Sequence, residues 1–220
     1  MKRLLMLVSA VLGVALAPIA PALAQTQPHA PSQRAGVAVQ RIVSPGGIEA
    51  WLVSDTTVPI VVLRAYWRGG AAVEPASLTG VTGVMADLLT EGAGSYDDTA
   101  FKERMQDLNM SLAFNAGWDG VGMSLTTLSE NRDAAFEMAR LALHEPRFDA
   151  EPLARAKRQL LVSIRTRDAN PSYLANLAVD QALYPNHPYA RRVSRDSVDA
   201  MSRDALLERR RALLSRATMR

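Results

Sequence analysis

Gly80-Val81-Thr82-Gly83-Val84-Met85-Ala86-Asp87-Leu88-Leu89-Thr90-Glu91-Gly92 is where the period of this sequence changes. Val81, Val84, Met85, Leu88 and Leu89 recur at helical spacing and share one face, and Glu91-Gly92 closes the run. Upstream the period is two. Pro59 to Trp67 is a β-branched run that predicts a buried strand, and Ile48 to Val53 alternates up to the turn-prone Asp55-Thr56-Thr57. Downstream, Asp97-Asp98 begins a second helix with Phe101, Met105 and Leu108 inward, ending at Asn109. Met110 to Ala116 and Val121 to Leu128 alternate as strands joined by a hairpin around Gly117-Trp118-Asp119-Gly120. Helices then follow over Glu130 to Leu143, over Asp149 to Arg167, from Pro171, and over Ser202 to Leu214. In the Asp149–Arg167 helix, Leu153, Leu160, Leu161 and Ile164 form the inward stripe. Hairpins alternating with helices predict an α+β fold: an antiparallel sheet covered by helices on one face.

Composition bounds the function. The 220 residues suit one domain with a real core, and 48% hydrophobic content with mixed charge argues against disorder. Zero cysteines exclude disulfides, thiol catalysis and Cys-ligated zinc, and three histidines disfavour a histidine-rich metal site. Met1 to Ala24 reads as a secretory signal: Lys2 and Arg3, the apolar run Leu4 to Ala17, then Ala22-Leu23-Ala24 before a cut at Gln25. A membrane anchor is the competing reading, but the run is short and interrupted by Pro18 and Pro21. Lys2 and Arg3 account for two of the +3 formal charge, so the mature chain is near neutral and nucleic acid is not an expected partner. The expected organisation is a signal over 1–24, a flexible leader over 25–40 and one α+β domain over 41–220, with no membrane span after signal removal. Export to a periplasm follows. The chain stops at Arg220 soon after a helix, which reads as a fragment of a longer protein.

The residues Gly47-Ile48-Glu49-Ala50-Trp51-Leu52-Val53, Glu74-Pro75, Thr79-Gly80, Leu88-Leu89-Thr90-Glu91-Gly92, Glu145-Pro146-Arg147-Phe148-Asp149, Asp168-Ala169-Asn170-Pro171 and His187-Pro188-Tyr189 together resemble the pitrilysin/insulinase family of zinc peptidases. The likeness runs from Gly47 to the end of the chain. Active members carry H-x-x-E-H, in which two histidines one helical turn apart bind zinc and the glutamate activates its water. The resemblance places the first histidine on Gly83, the base on Ala86 and the second histidine on Asp87. It places the third ligand, a glutamate, on Ser163, or one residue earlier on Val162. Neither histidine position holds an imidazole, the base position holds alanine, and the carboxylate of Asp87 is all that remains of the four-residue site, so no catalytic residue, no metal and no cofactor is expected. The resemblance implies a role all the same: a zinc-free subunit that closes the chamber of a zinc-bearing pitrilysin-like partner and helps hold an extended peptide substrate, with only the first of two similar domains present. A stand-alone peptide-binding or scaffold protein of the same fold is the alternative. A non-zinc enzyme has only Asp87 and Ser163 to support it.

Each remaining side chain has a plainer reading beside its functional one. Asp87 is a relic ligand or, more simply, a carboxylate solvated or paired with an arginine. Gly83 and Ala86 are small because a neighbouring helix packs closely there, or because peptide passes. Ser163 has no base positioned by the sequence. His144 suits a helix C-terminus, His187 a proline-rich turn, and His29 lies in the leader. Arg209-Arg210-Arg211 reads as a solvated helical face. An exposed sheet edge would accept a substrate peptide as an extra strand, although sequence does not say which strand is at the edge.

Overall fold

The alternating and helical periods fold as expected into a mixed α+β domain, in a computed structural model that describes residues 38–220. The chain runs through β1 (Val39–Val43), β2 (Glu49–Val53), β3 (Ile60–Arg68), α1 (Val81–Leu88), α2 (Asp98–Asp107), β4 (Ser111–Ala116), β5 (Gly120–Leu128), α3 (Arg132–His144), α4 (Ala150–Asp168), α5 (Pro171–Leu183), α6 (Arg195–Ala200) and α7 (Arg203–Leu213). The signal over 1–24 and the leader as far as residue 37 lie outside the described residues. Val39 and Gln40, assigned to the leader, are the start of β1 and correct that boundary. Their strand is set by register with β2, Val39 opposite Val53 and Val43 opposite Glu49, a non-local pairing that V-Q-R-I-V does not announce. The short α6 was also missed. Six residues are too few for a period, and its signal is a reciprocal cap between Ser194 and Ser197.

The expected single sheet is two antiparallel pieces: a β1–β2 hairpin, and a three-stranded sheet in the order β3-β5-β4. β5 is central, with Leu63 opposite Leu125 and Leu125 opposite Leu112; β4 is an edge, while the outer side of β3 is met at Tyr66–Arg68 by residues 218–220, Arg68 N donating to Thr218 O (2.8 Å) and Arg220 N to Tyr66 O (2.9 Å). One face of the three strands carries Trp67, Leu112, Phe114, Val121, Met123 and Leu125, all buried against the helices. On α1 the expected stripe holds: Val81, Val84, Met85, Leu88 and Leu89 are buried, and Phe101 of α2 is fully enclosed. On α4, Leu153 and Ile164 are buried while Leu160 and Leu161 are only half-buried. The first helix ends at Leu88, short of Glu91-Gly92, and Glu91 Oε2 instead accepts from Lys102 Nζ (2.7 Å) and Arg155 Nη2 (2.6 Å).

The β4–β5 hairpin is locked to the loop after β3 by backbone bonds. Gly69 N donates to Asp119 O (2.8 Å), Ala71 N to Gly117 O (2.9 Å) and Ala72 N to Trp118 O (2.9 Å). This approach explains Gly70: a Cβ there would sit 2.0 Å from Gly117 O and 2.7 Å from Gly120 N. Gly70→Ala is therefore expected to destabilise the domain by about 1–3 kcal/mol, the range of forced overpacking. Urea unfolding checks this, and a midpoint unchanged from the parent would contradict the packing described.

Candidate functional site

The helix that carries the matched positions is held at its N-terminus by buried charge. Gly80 enters at φ +97°, a left-handed conformation suited to glycine, and offers no capping side chain. Glu74 supplies the missing cap from a distance. Its Oε2 accepts from Gly80 N (2.7 Å) and its Oε1 from Thr82 N (2.7 Å), placing a carboxylate at the positive end of the helix. Arg209 approaches from α7. Its Nε donates to Thr82 Oγ1 (2.8 Å), Nη2 to Gly70 O (2.7 Å) and Nη1 to Val73 O (3.2 Å). Glu74 and Arg209 are both buried, and burial pushes the guanidinium below its ordinary pKa while Glu74 opposes that shift.

This corrects the reading of Arg209-Arg210-Arg211 as a solvated face. Arg209 is internal, Arg210 is half-buried and donates from Nε to Leu143 O (2.5 Å), and only Arg211 is exposed. Sequence reasoning missed the network because the acceptors of Arg209, two backbone carbonyls and the Thr82 hydroxyl, lie more than a hundred residues away. Glu74-Pro75 was the only trace of it.

The four matched positions have unlike surroundings. Gly83 is half-exposed, and a Cβ added there would meet no atom within 4 Å. The expectation of close helix packing at Gly83 is therefore wrong: the space beside α1 is open. Ala86 is buried, and packing does explain its size. Asp87 is exposed and pairs with no arginine among the described residues, which leaves the solvated alternative. Partial burial of its carboxyl, aided by the charge of Glu91, raises its pKa above the ordinary value. Ser163 is exposed on α4.

A raised carboxyl pKa means that the folded state binds the Asp87 proton more tightly than the unfolded chain. The ionised form therefore costs stability above the carboxylate range, and the cost vanishes as pH falls through it. Asp87→Asn is expected to stabilise slightly at pH 7, by roughly 0.5 kcal/mol or less, with the gain fading at acid pH. Thermal unfolding across pH reads this; a gain that grows on acidification would contradict it.

The zinc of the family's active members does not fit these residues. Open space at Gly83 offers no donor, Ala86 has no polar side-chain atom, and Asp87 and Ser163 supply one carboxylate and one hydroxyl. His144 ends α3, and His187 Nδ1 accepts from Tyr189 N (3.2 Å) in the turn expected for it. Among the described residues, no three or more His, Cys, Asp or Glu side chains gather to hold a metal. A second feature escaped the sequence reading. The ring of Tyr189 packs at a tilt against Trp118 (centroids 5.3 Å) and edge-on against Tyr184 (5.7 Å) and His187 (4.6 Å), and its hydroxyl donates to Asp119 (2.8 Å), clipping the turn after α5 to the β4–β5 hairpin. No helix among the described residues is long and apolar enough to cross a membrane.

No protein-family model matches the chain. It is similar to the non-peptidase homolog YmxG of Helicobacter pylori, at 25% identity over 133 residues, covering 60% of this chain and 31% of that protein. It superposes on the crystal structure of a peptidase M16 inactive domain from Pseudomonas fluorescens with a TM-score of 0.71 and 26% identity, covering 79% of this chain and 43% of that one. The periplasmic protease PqqL of Escherichia coli shares the fold at a TM-score of 0.70 and 11% identity, over 82% of this chain and 21% of that one. The chain thus spans less than half the length of each of these proteins. It has the domain fold of the M16, pitrilysin-like peptidases, and the two proteins it matches at about a quarter identity are named a non-peptidase homolog and an inactive domain.

Proposed function

We propose that this chain is a non-catalytic pitrilysin-like subunit, exported to the periplasm by a signal over residues 1–24 and a leader that ends where β1 begins. It closes the chamber of a zinc-bearing relative and helps hold an extended peptide. The observation that carries the reading is the loss of every matched site residue, at Gly83, Ala86, Asp87 and Ser163, within a retained fold. Loss of the ligands leaves no Lewis acid and loss of the base leaves nothing to activate water, so hydrolysis has to come from the partner. The placement of β4 at a sheet edge supports peptide addition as an extra strand. The periplasmic assignment is supported by the apolar N-terminal run and by the compartment in which PqqL works.

The test is to purify the mature chain alone and together with a candidate H-x-x-E-H relative from the same genome. Zinc content and peptide cleavage are measured for each sample. The isolated chain is expected to hold no stoichiometric zinc and to cleave nothing, and the pair to cleave with zinc in the partner alone. Stoichiometric zinc with hydrolysis by the isolated chain would sink the proposal. Peptide binding without any recoverable zinc-bearing partner would favour the stand-alone peptide-binding or scaffold reading.

A further inference from the structure

Among the described α-helices, α5 alone buries no side chain. It lies against α4 along a thin stripe: Tyr173, Leu177 and Asp180 are half-buried at helical spacing, and the rest of Pro171–Leu183 is exposed. The contact is imperfect as well as small. The Arg167 guanidinium of α4 lies 5.3 Å from the centre of the Tyr173 ring, and its Nε is buried with no hydrogen-bond partner among the described residues. An unmet donor at this contact weakens the closed arrangement. A helix of 13 residues is marginal on its own propensity. With so little apolar area buried, it opens at a fraction of the free energy that unfolds the core.

What holds α5 in place is its two ends. At the start Asn170 caps it, Oδ1 accepting from Tyr173 N (3.2 Å). At the far end the chain turns through Tyr184 to Tyr189 and meets the β4–β5 hairpin. The Tyr189 hydroxyl lies 2.8 and 2.9 Å from the two carboxylate oxygens of Asp119, and its ring packs at a tilt against Trp118. Asp119 also pushes the Tyr189 phenol above its ordinary pKa, so the donor keeps its proton. Arg192 Nη2 pairs with Asp180 and ties the turn back to the helix. Just before it, Arg191 Nη1 donates to Glu74 O (2.9 Å), which fixes the chain to the start of α1 and ends the loosely held stretch. The hairpin tip is itself firm, bound by Gly69 N, Ala71 N and Ala72 N. Tyr189 therefore joins a weakly packed helix to a firmly held turn.

We propose that residues 170–190 form an arm that lifts from α4 as a unit while the rest of the domain stays folded, and that Tyr189 on Asp119 and Trp118 is the latch that keeps it closed. The hinges are Asn170 and Arg191, where the backbone enters and leaves the arm. Arg192 with Asp180 is a second, charged hold that opens with it. The arm and its latch lie within this chain, so the proposal stands apart from the subunit reading.

Hydrogen–deuterium exchange of the mature chain, read by mass spectrometry of peptides, tests this. Amides of Tyr173–Leu183 are expected to exchange together and at least about 100-fold faster than those of α1 and β5. Tyr189→Phe keeps the ring and removes the bond to Asp119, and is expected to speed exchange in α5 roughly three- to tenfold. Tyr189→Ala removes the ring as well and is expected to speed it further. Neither variant is expected to change exchange in α1 or β5. Exchange in α5 as slow as in β5 would overturn the arm. Latch variants that leave α5 unchanged, or that speed α1 and β5 as much as α5, would overturn the latch. Those outcomes leave zinc content and peptide cleavage by the co-purified pair untouched, so the subunit reading is judged separately.

Discussion

Arg209→Ala is expected to cost about 3–5 kcal/mol of folding stability, the range for removing one member of a buried charged network. The cause is threefold. The carbonyls of Gly70 and Val73 lose their donors, Thr82 Oγ1 loses its partner, and the buried Glu74 carboxylate loses the nearby positive charge. The side chain also leaves a void between α7 and α1, which pack together. Arg209→Lys is expected to recover only part of the loss, because an ammonium lacks the planar fork that reaches three acceptors in different directions. Glu74→Ala is expected to be comparably severe, since it strips the N-terminus of α1 of its carboxylate and leaves Arg209 uncompensated. The double variant should cost less than the sum of the two singles, because each single strands the other charge. Urea unfolding of the four proteins gives the comparison. A loss under about 1 kcal/mol for Arg209→Ala would place the guanidinium in solvent, as an exposed residue would be.

Restoring ligands to α1 is expected to restore metal binding without restoring catalysis. In Gly83→His/Asp87→His, two imidazoles one turn apart on one helical face, about 5–6 Å between Cβ atoms, form a bidentate zinc site. Gly83 has the space for the new ring and Asp87 is already exposed. The third ligand then reports the register of α4, which packs against α1. Ser163→Glu added to the pair is expected to tighten zinc by about tenfold or more, roughly 1.4 kcal/mol, and Val162→Glu to add little. The reverse ranking would move the matched position to Val162, the other register that the sequence allows. Peptide hydrolysis should stay absent while Ala86 remains, because no carboxylate then activates the bound water. Competition against a zinc indicator measures the affinities.

Most of the architecture was legible because it depends on short periods. The β3 run, the five-residue stripe of α1, the β4–β5 alternation around Gly117-Trp118-Asp119-Gly120 and the helix started by Pro171 each announce themselves within a dozen residues. What escaped lies at longer range or shorter length. β1 is a strand only because β2 lies beside it, α6 is a single capped turn and a half, and the sheet divides in two where a continuous one was expected. The site divides the same way. That the chain has histidine only at 29, 144 and 187, and none on the matched helix, is plain from the letters alone. The surroundings of Gly83 and Ala86 are not: one faces open space and the other is packed, although both are small residues on one short helix.

The amino-acid sequence by itself determined the α+β class, the order of most elements and the absence of imidazole or a general base at the matched positions, because periodicity and residue chemistry are local properties. Only the tertiary structure decided where charge is buried and where it is free. Three consecutive arginines of α7 are internal, half-buried and exposed in turn, and Arg64 and Arg68, in a sheet whose three strands include no acid at their outward positions, form no ion pair among the described residues. The physical reason is that a charge is defined by what surrounds it. Desolvation and pairing depend on groups brought together from distant parts of the chain, and those distances do not exist until the chain has folded.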